Sequence, residues 1–114
     1  MIVSEPTATR QAQCKPWVAH VIDPIQQNVA DECRKHTDGK GVDVVFDCAG
    51  IRRGMEAGMD ALRPKGVYVN VAGWEGEFVV PMGLFMAKEL ELKTTLAYDD
   101  KDFADTVRDF IAGE

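Results

Sequence analysis

Val42 to Gly50 reads VDVVFDCAG, and no other run of the chain is as apolar, as β-branched and long enough to be a strand buried on both faces. It is expected to be a central strand of a parallel sheet. Its carboxyl end changes character, because Asp47 is followed by Cys48, Ala49 and Gly50. In an open α/β sheet, small residues at that end leave room for a ligand. A tight turn beginning at Ala49 and Gly50 would need the same residues, so the neighbouring segments have to decide between the two readings.

On the amino-terminal side, Met1 to Glu5 (MIVSE) reads as a short strand, followed by a helix opened by Pro6 and Thr7 that runs to about Lys15 and is stopped by Pro16. Val18 to Ile22 is a second short strand. Asp23 and Pro24, with Gln26 at capping-box spacing, predict the start of a helix whose face carries Ile25, Val29 and Cys33. Lys35 and His36 suit its last turn, and Gly39 and Gly41 end it before the VDVVFDCAG strand.

On the carboxyl-terminal side, Met55, Met59 and Leu62 recur at helical spacing, and Pro64, Lys65 and Gly66 turn the chain into a strand from Val67 to Ala72. Glu77 to Val80 reads as a very short extended piece closed by Pro81, and Met82 to Lys88 as one or two helical turns. In Leu90 to Tyr98, Glu91 and Lys93 alternate with Leu90 and Leu92, the pattern of a strand near a sheet edge. Asp99 and Asp100 cap a last helix with Phe103, Val107, Phe110 and Ile111 on its apolar face and Gly113 at its end. Strands alternating with helices give right-handed βαβ units and an α/β fold with a parallel sheet.

The chain has 114 residues, 46% of them hydrophobic, which suits one domain, residues 1–114, with a core of its own. A net charge of −6, with the Lys and Arg residues scattered, points away from nucleic acid and from membrane surfaces. No run approaches the length of a membrane span. Cys14, Cys33 and Cys48 are odd in number and lack CxxC spacing, so they read as reduced, mostly buried thiols of a cytoplasmic protein.

Few residues suggest chemistry. Glu5 closes the first strand just before a helix, which in a dinucleotide-binding fold is the place of the acid that holds the adenosine ribose hydroxyls. A solvated surface carboxylate is the alternative, and Arg10 is either its companion over the adenine or a surface charge. His20 and His36 have no partners at metal-ligand spacing beyond Asp23, so no metal site is assigned. No nucleophile and base pair stands out. Asp47 is either an acid near a ligand or the hydrogen-bond partner of a neighbouring loop.

Taken together, VSEPTATRQAQC, GKGVDVVFDCAG, ALRPKGVYVNVAGW and KELELKTTLAYDDKDFADTVRDFIAG resemble the zinc-dependent medium-chain alcohol and polyol dehydrogenases, and within them the butanediol and sorbitol dehydrogenase branch. The resemblance implies that Glu5 is the ribose-binding acid and Arg10 the basic residue beside the adenosine, favouring NAD over NADP. It implies that Cys48 and Ala49 lie beneath the cofactor, and that the backbone of Val71, Ala72 and Gly73 faces the nicotinamide. It also implies a homo-oligomer joined through Phe78 to Val80.

Two features of the family pattern are not found in residues 1–114: the glycine-rich fingerprint with its strand and helix, and the catalytic domain with its zinc ligands. The expected structure is therefore a partial Rossmann-like sheet lacking the first strand and glycine-rich turn. No catalytic residue is assigned, zinc belongs to the full-length family only, and weak or absent NAD binding is expected of these residues alone. In the order 3-2-1-4-5-6 the missing strand lies between those ending at Glu5 and Asp47. The two flanking strands then either pair directly, admit another chain's strand, or leave a loose, aggregation-prone sheet. The rival expectations are a small non-catalytic α/β binding module and, further off, a methyltransferase-like domain in which Glu5 holds a ribose.

Overall fold

The computed structural model describes residues 1–74, 77 and 79–113. Strands and helices alternate as β1 (Ile2–Ser4), α1 (Ala8–Cys14), β2 (His20–Ile22), α2 (Val29–Lys35), β3 (Val42–Asp47), α3 (Arg52–Ala61), β4 (Leu62–Asn70), α4 (Met82–Ala87), β5 (Glu91–Thr94) and α5 (Asp100–Ala112). Every strand pair is parallel. The α/β class expected from the alternation is the class observed.

The strands form two sheets, β1-β2 and β3-β4-β5. Among the described residues no ladder joins β1 to β3, so direct pairing of those two strands is not the way the fold closes. Helix α2 bridges the sheets instead. Ile22, Ala30, Cys33 and Ala61 form a buried cluster against which Ile2, Val29 and Val42 pack, so β1, β2, α2, α3 and β3 share one apolar seam. Arg34 reinforces it by donating from Nη1 to the Asp60 carbonyl at 3.3 Å.

The second cluster builds the face of the three-stranded sheet that α3 covers. Met55, Met59, Leu62, Tyr68 and Leu90 are its buried residues, flanked by Val45, Trp74, Val80, Leu84 and Phe85. A Cβ placed on Gly58 would meet Val45 Cγ1 at 3.0 Å and the Tyr68 ring at 3.4 Å, which shows how closely α3 lies on that face. Lys88, just past α4, donates from Nζ to the carbonyls of Met59, Asp60 and Leu62 at 3.2, 2.6 and 2.8 Å. These are carbonyls that the end of α3 leaves without helical partners.

Among the described residues nothing covers the opposite face of β3: Val44 and Phe46, expected to be buried, are 42% and 66% exposed, β3 pairing there with β4 alone. Phe103, Val107, Phe110 and Ile111 of α5 are exposed as well. The chain has 8252 Å² of accessible surface, where a compact monomer of its mass would show about 6,200 Å². Its radius of gyration is 15.1 Å, where about 13 Å is usual for its length.

Other expectations need local correction. Asp23 does not start α2. Its Oδ1 accepts from the Ile25 amide at 2.9 Å within a turn, and the helix begins at Asn28, whose side chain accepts from Asp31. Ile25 consequently stays exposed. Strand β4 starts at Leu62, before the Pro64–Gly66 turn residues, and absorbs them through a register shift against Val42 and Val44. Of the expected piece Glu77 to Val80, Phe78 lies outside the described residues, and Glu77, Val79 and Val80 belong to no strand. Cys33 is buried, whereas Cys48 is exposed at the end of β3. The last helix is capped by Asp99 as expected, but its partner in a capping box is Asp102, while Asp100 is the first helical residue.

Candidate functional site

Three strand ends carry the residues singled out from the sequence. At the end of β1, the Glu5 amide continues the ladder by donating to the Ile22 carbonyl at 3.0 Å. Its carboxylate accepts from the Thr7 amide at 2.7 Å and lies 3.6 Å from Arg10 Nη1. The Thr7 hydrogen bonds, helped by Arg10, hold the Glu5 carboxyl below the usual carboxylate range. Gln11 donates to the Glu5 carbonyl at 2.7 Å, tying the strand end to α1. Glu5 and Arg10 thus form one acidic strand terminus with a cation beside it.

At the ends of β3 and β4 a second group assembles around Asp47. Its side-chain Oδ1 accepts from the amides of Ala49 and Gly50 at 2.9 and 3.1 Å, and its Oδ2 accepts from the Tyr68 hydroxyl at 2.7 Å. Its main-chain carbonyl accepts from the amides of Val71 and Ala72 at 2.9 and 3.0 Å. Asp47 is only 7% exposed. Burial, and then the bond to Asp47, push the Tyr68 phenol far above its ordinary value, so it remains a donor.

The 71–74 segment is pinned from its other end. Asn70 donates to the Ala72 carbonyl at 2.9 Å and accepts from Trp74 Nε1 at 2.7 Å. Gly50 has φ +63, and a Cβ there would stand 2.7 Å from the Gly73 carbonyl oxygen and 3.0 Å from Ala72 Cβ. Only glycine fits both the backbone conformation and that approach. Of the two readings of Ala49 and Gly50, the tight turn is the one the geometry displays. The residues form a tight turn, and the turn leaves Cys48, Ala49, Val71 and Gly73 exposed along two adjacent strand ends.

The structure brings Cys48 and Ala49 together with Val71, Ala72 and Gly73, and it brings Glu5 together with Arg10. It records no hydrogen bond or ion pair between the two groups among the described residues. Sequence reading passed over Tyr68, Asn70 and Trp74 and left Asp47 undecided. A signal did exist for Asp47, since an acidic residue in an apolar strand followed by Ala and Gly is a side-chain-capped turn pattern. Nothing in the pattern paired it with Tyr68, 21 residues away.

The cleft lined by Lys15, His20, Gln27, Glu32 and His36 lies elsewhere, along β2 and beside α2. There the His20 and His36 rings stack with centroids 3.4 Å apart. Among the described residues no group of three or more His, Cys, Asp or Glu side chains could hold a metal ion. No helix among them is long and apolar enough to cross a membrane.

Parallel strands with helices in their crossovers make a Rossmann-type α/β fold. Solved structures share it. The 2R,3R-butanediol dehydrogenase of Bacillus subtilis superimposes with a TM-score of 0.79 at 26% identity, over 87% of this chain and 28% of that one. The crystal structure of AibC gives 0.84 at 26% identity, over 98% and 34%. The alcohol dehydrogenase of Aeropyrum pernix gives 0.83, and at 19% identity it attests the fold alone.

The chain belongs to the zinc-binding dehydrogenase family, whose model matches residues 1–113. Among curated relatives, the (R,R)-butanediol dehydrogenase of Neisseria gonorrhoeae is 32% identical over 89 residues, 78% of this chain and 25% of that protein. The L-threonine 3-dehydrogenase of Pyrococcus furiosus is 39% identical over 67 residues, 58% of this chain and 19% of that protein. The chain spans about a quarter of the length of the butanediol dehydrogenase it matches. It resembles the NAD-binding portion of such enzymes.

Proposed function

We propose that residues 1–114 are the later part of the cofactor domain of an NAD-dependent dehydrogenase acting on a secondary alcohol or diol. The family match over residues 1–113, nearly the whole chain, carries this reading. The likeness to butanediol dehydrogenases supports the substrate class. When bound, the nicotinamide exchanges a hydride with the substrate carbon.

In this reading Glu5 accepts hydrogen bonds from the adenosine ribose hydroxyls and repels a 2′-phosphate, with Arg10 over the adenosine. Cys48 and Ala49 lie beneath the cofactor, and the backbone of Val71, Ala72 and Gly73 faces the nicotinamide. The residues present fit the two ends of a dinucleotide and not its middle, because the glycine-rich turn that cradles a pyrophosphate is not in residues 1–114. Residues 1–114 alone therefore bind NAD weakly and do not transfer hydride. Zinc ligation belongs to the family's catalytic domain, and no step is assigned to it here. The place of action is the cytoplasm.

The test is a titration of the isotope-labelled chain with NAD and NADP, followed by amide chemical shifts. NAD at millimolar concentration is expected to move Glu5 to Thr7, Cys48 to Gly50 and Val71 to Gly73, and NADP to move the Glu5 group less. Shifts confined to the Lys15, His20 and His36 cleft would overturn the assignment. Micromolar NAD affinity abolished by Glu5→Ala would replace it with a self-sufficient NAD-binding module.

The same reading includes a homo-oligomer through Phe78 to Val80, supported by the exposure of Val79. Light scattering on the wild type and on Val79→Pro tests it. A wild-type monomer at tens of micromolar, or a dimer unchanged by the substitution, rules it out.

A further inference from the structure

Asp47 uses both of its oxygen-bearing groups, and each reaches a different loop. The carboxylate organises Ala49 and Gly50, which follow β3, and the carbonyl organises Val71 and Ala72, which follow β4. Tyr68, from the interior of β4, holds the second carboxylate oxygen and fixes the side-chain rotation, so the Asx turn at Ala49 and Gly50 cannot swing independently of β4. The loops also meet directly, where Gly50 stands against the Gly73 carbonyl. Two loops from different strands are thus tied into one surface by a single buried residue.

We propose that Asp47 is the positioning residue of the nucleotide site, setting the spacing between the 48–50 and 71–73 loops so that both meet one ligand as a single platform. This rests on the cofactor-domain reading given above. Asp47 touches no ligand, and it acts through the backbone groups of Ala49, Gly50, Val71 and Ala72. The geometry also separates this role from simple stabilisation. A residue needed only for the core would affect every ladder amide alike, whereas Asp47 should affect the two loops beyond its share in global stability.

The experiment is amide hydrogen exchange on the chain with no nucleotide present, for the wild type, Asp47→Ala, Asp47→Asn and Tyr68→Phe, with Val44 and Val69 as ladder references. Asp47→Ala removes the carboxylate and keeps the main-chain carbonyl, so it is expected to speed exchange at 49–50 by about ten-fold or more relative to the references and, through the loosened Gly50 against Gly73, at 71–73 by a few-fold. Asp47→Asn retains an acceptor and is expected to restore most of the protection. Tyr68→Phe, which removes one bond and cannot disturb the turn directly, should loosen both loops by a few-fold.

Acceleration at Ala49 and Gly50 alone would reduce Asp47 to a local turn residue and overturn the proposal, as would equal acceleration at the references. Adding NAD supplies the second readout. In Asp47→Ala the shifts at Cys48 to Gly50 and Val71 to Gly73 should vanish while those at Glu5 to Thr7 persist. If NAD moves nothing in the wild type, the cofactor reading fails, while the exchange data still decide whether the platform exists.

Discussion

A Cβ added to Gly41 would come within 2.6 Å of the Ala61 carbonyl oxygen, at the point where the end of α3 crosses the entry to β3. The same atom would stand 2.9 Å from the Arg63 amide nitrogen, and Gly41 has φ +92. Strain and collision with backbone therefore coincide. Gly41→Ala is expected to cost about 2–4 kcal/mol in urea unfolding. Gly39→Ala, in the same turn with φ +80 but nothing near its Cβ, should cost only about 1 kcal/mol. Equal losses would show that strain alone governs the turn.

Lys88 is expected to behave as a cap. Replacing it by Met keeps the aliphatic stem and leaves the Met59 and Leu62 carbonyls without this donor and the Asp60 carbonyl with Arg34 alone, so a loss of about 1–3 kcal/mol is expected. Lys65→Met, whose charge meets Glu89 at 3.6 Å with both side chains in water, should stay within about 0.5 kcal/mol. Thermal unfolding of the two variants side by side is sufficient, and a neutral Lys88→Met would show that water serves those carbonyls equally well.

Tyr68 gives stability a pH dependence with a definite sign. Its folded value lies above the unfolded value of about 10, so its contribution is complete below pH 10 and is lost as pH climbs from there. Tyr68→Phe should cost about 1–2 kcal/mol at neutral pH, through the lost bond to Asp47. Above pH 10 the wild type surrenders its advantage, and the gap should close by about 1.4 kcal/mol per pH unit. A gap that stays constant to pH 11 would mean that the phenol ionises as freely in the folded chain as in the unfolded one.

Much of the fold was legible because it is carried by short-range signals. The Met55 and Met59 spacing was realised as read and Asp99 caps the last helix as expected, whereas β5 is shorter than Leu90 to Tyr98 and the alternation of Glu91 and Lys93 with Leu92 gives no buried face, all four residues of Glu91–Thr94 being exposed. Asp23 misled because an acidic residue before Pro24 suits a turn as well as a helix cap, and here its side chain was satisfied by Ile25 two residues on. VDVVFDCAG misled in another way. Its composition reports a strand built for two neighbours and two covered faces, but burial depends on elements other than the strand itself, and Val44 and Phe46 face solvent. At the site, Glu5 and the strand-end small residues were legible from position. The bond between Asp47 and Tyr68 was not, because it depends on the β3 and β4 register, which places Val45 beside Tyr68 and Asp47 beside Asn70.

The separation of the two sheets also bears on how the chain comes apart. Residues 2–22 hold one sheet of two three-residue strands, and residues 42–94 hold the other, so among the described residues no hydrogen-bond ladder spans both. What couples them is side-chain packing around Ala30, Cys33 and Ala61, a seam that loosens gradually where a ladder would break at once. Cooperativity should therefore be divided, with the amino-terminal pair opening as its own foldon at a free energy well below that of β3 and β4. Native-state exchange in low denaturant should show the amides of Val21 and Ile22 merging into one shallow isotherm and those of Val45 and Val69 into a steeper one. A single common isotherm would mean that packing through one helix suffices to make 114 residues melt as one unit.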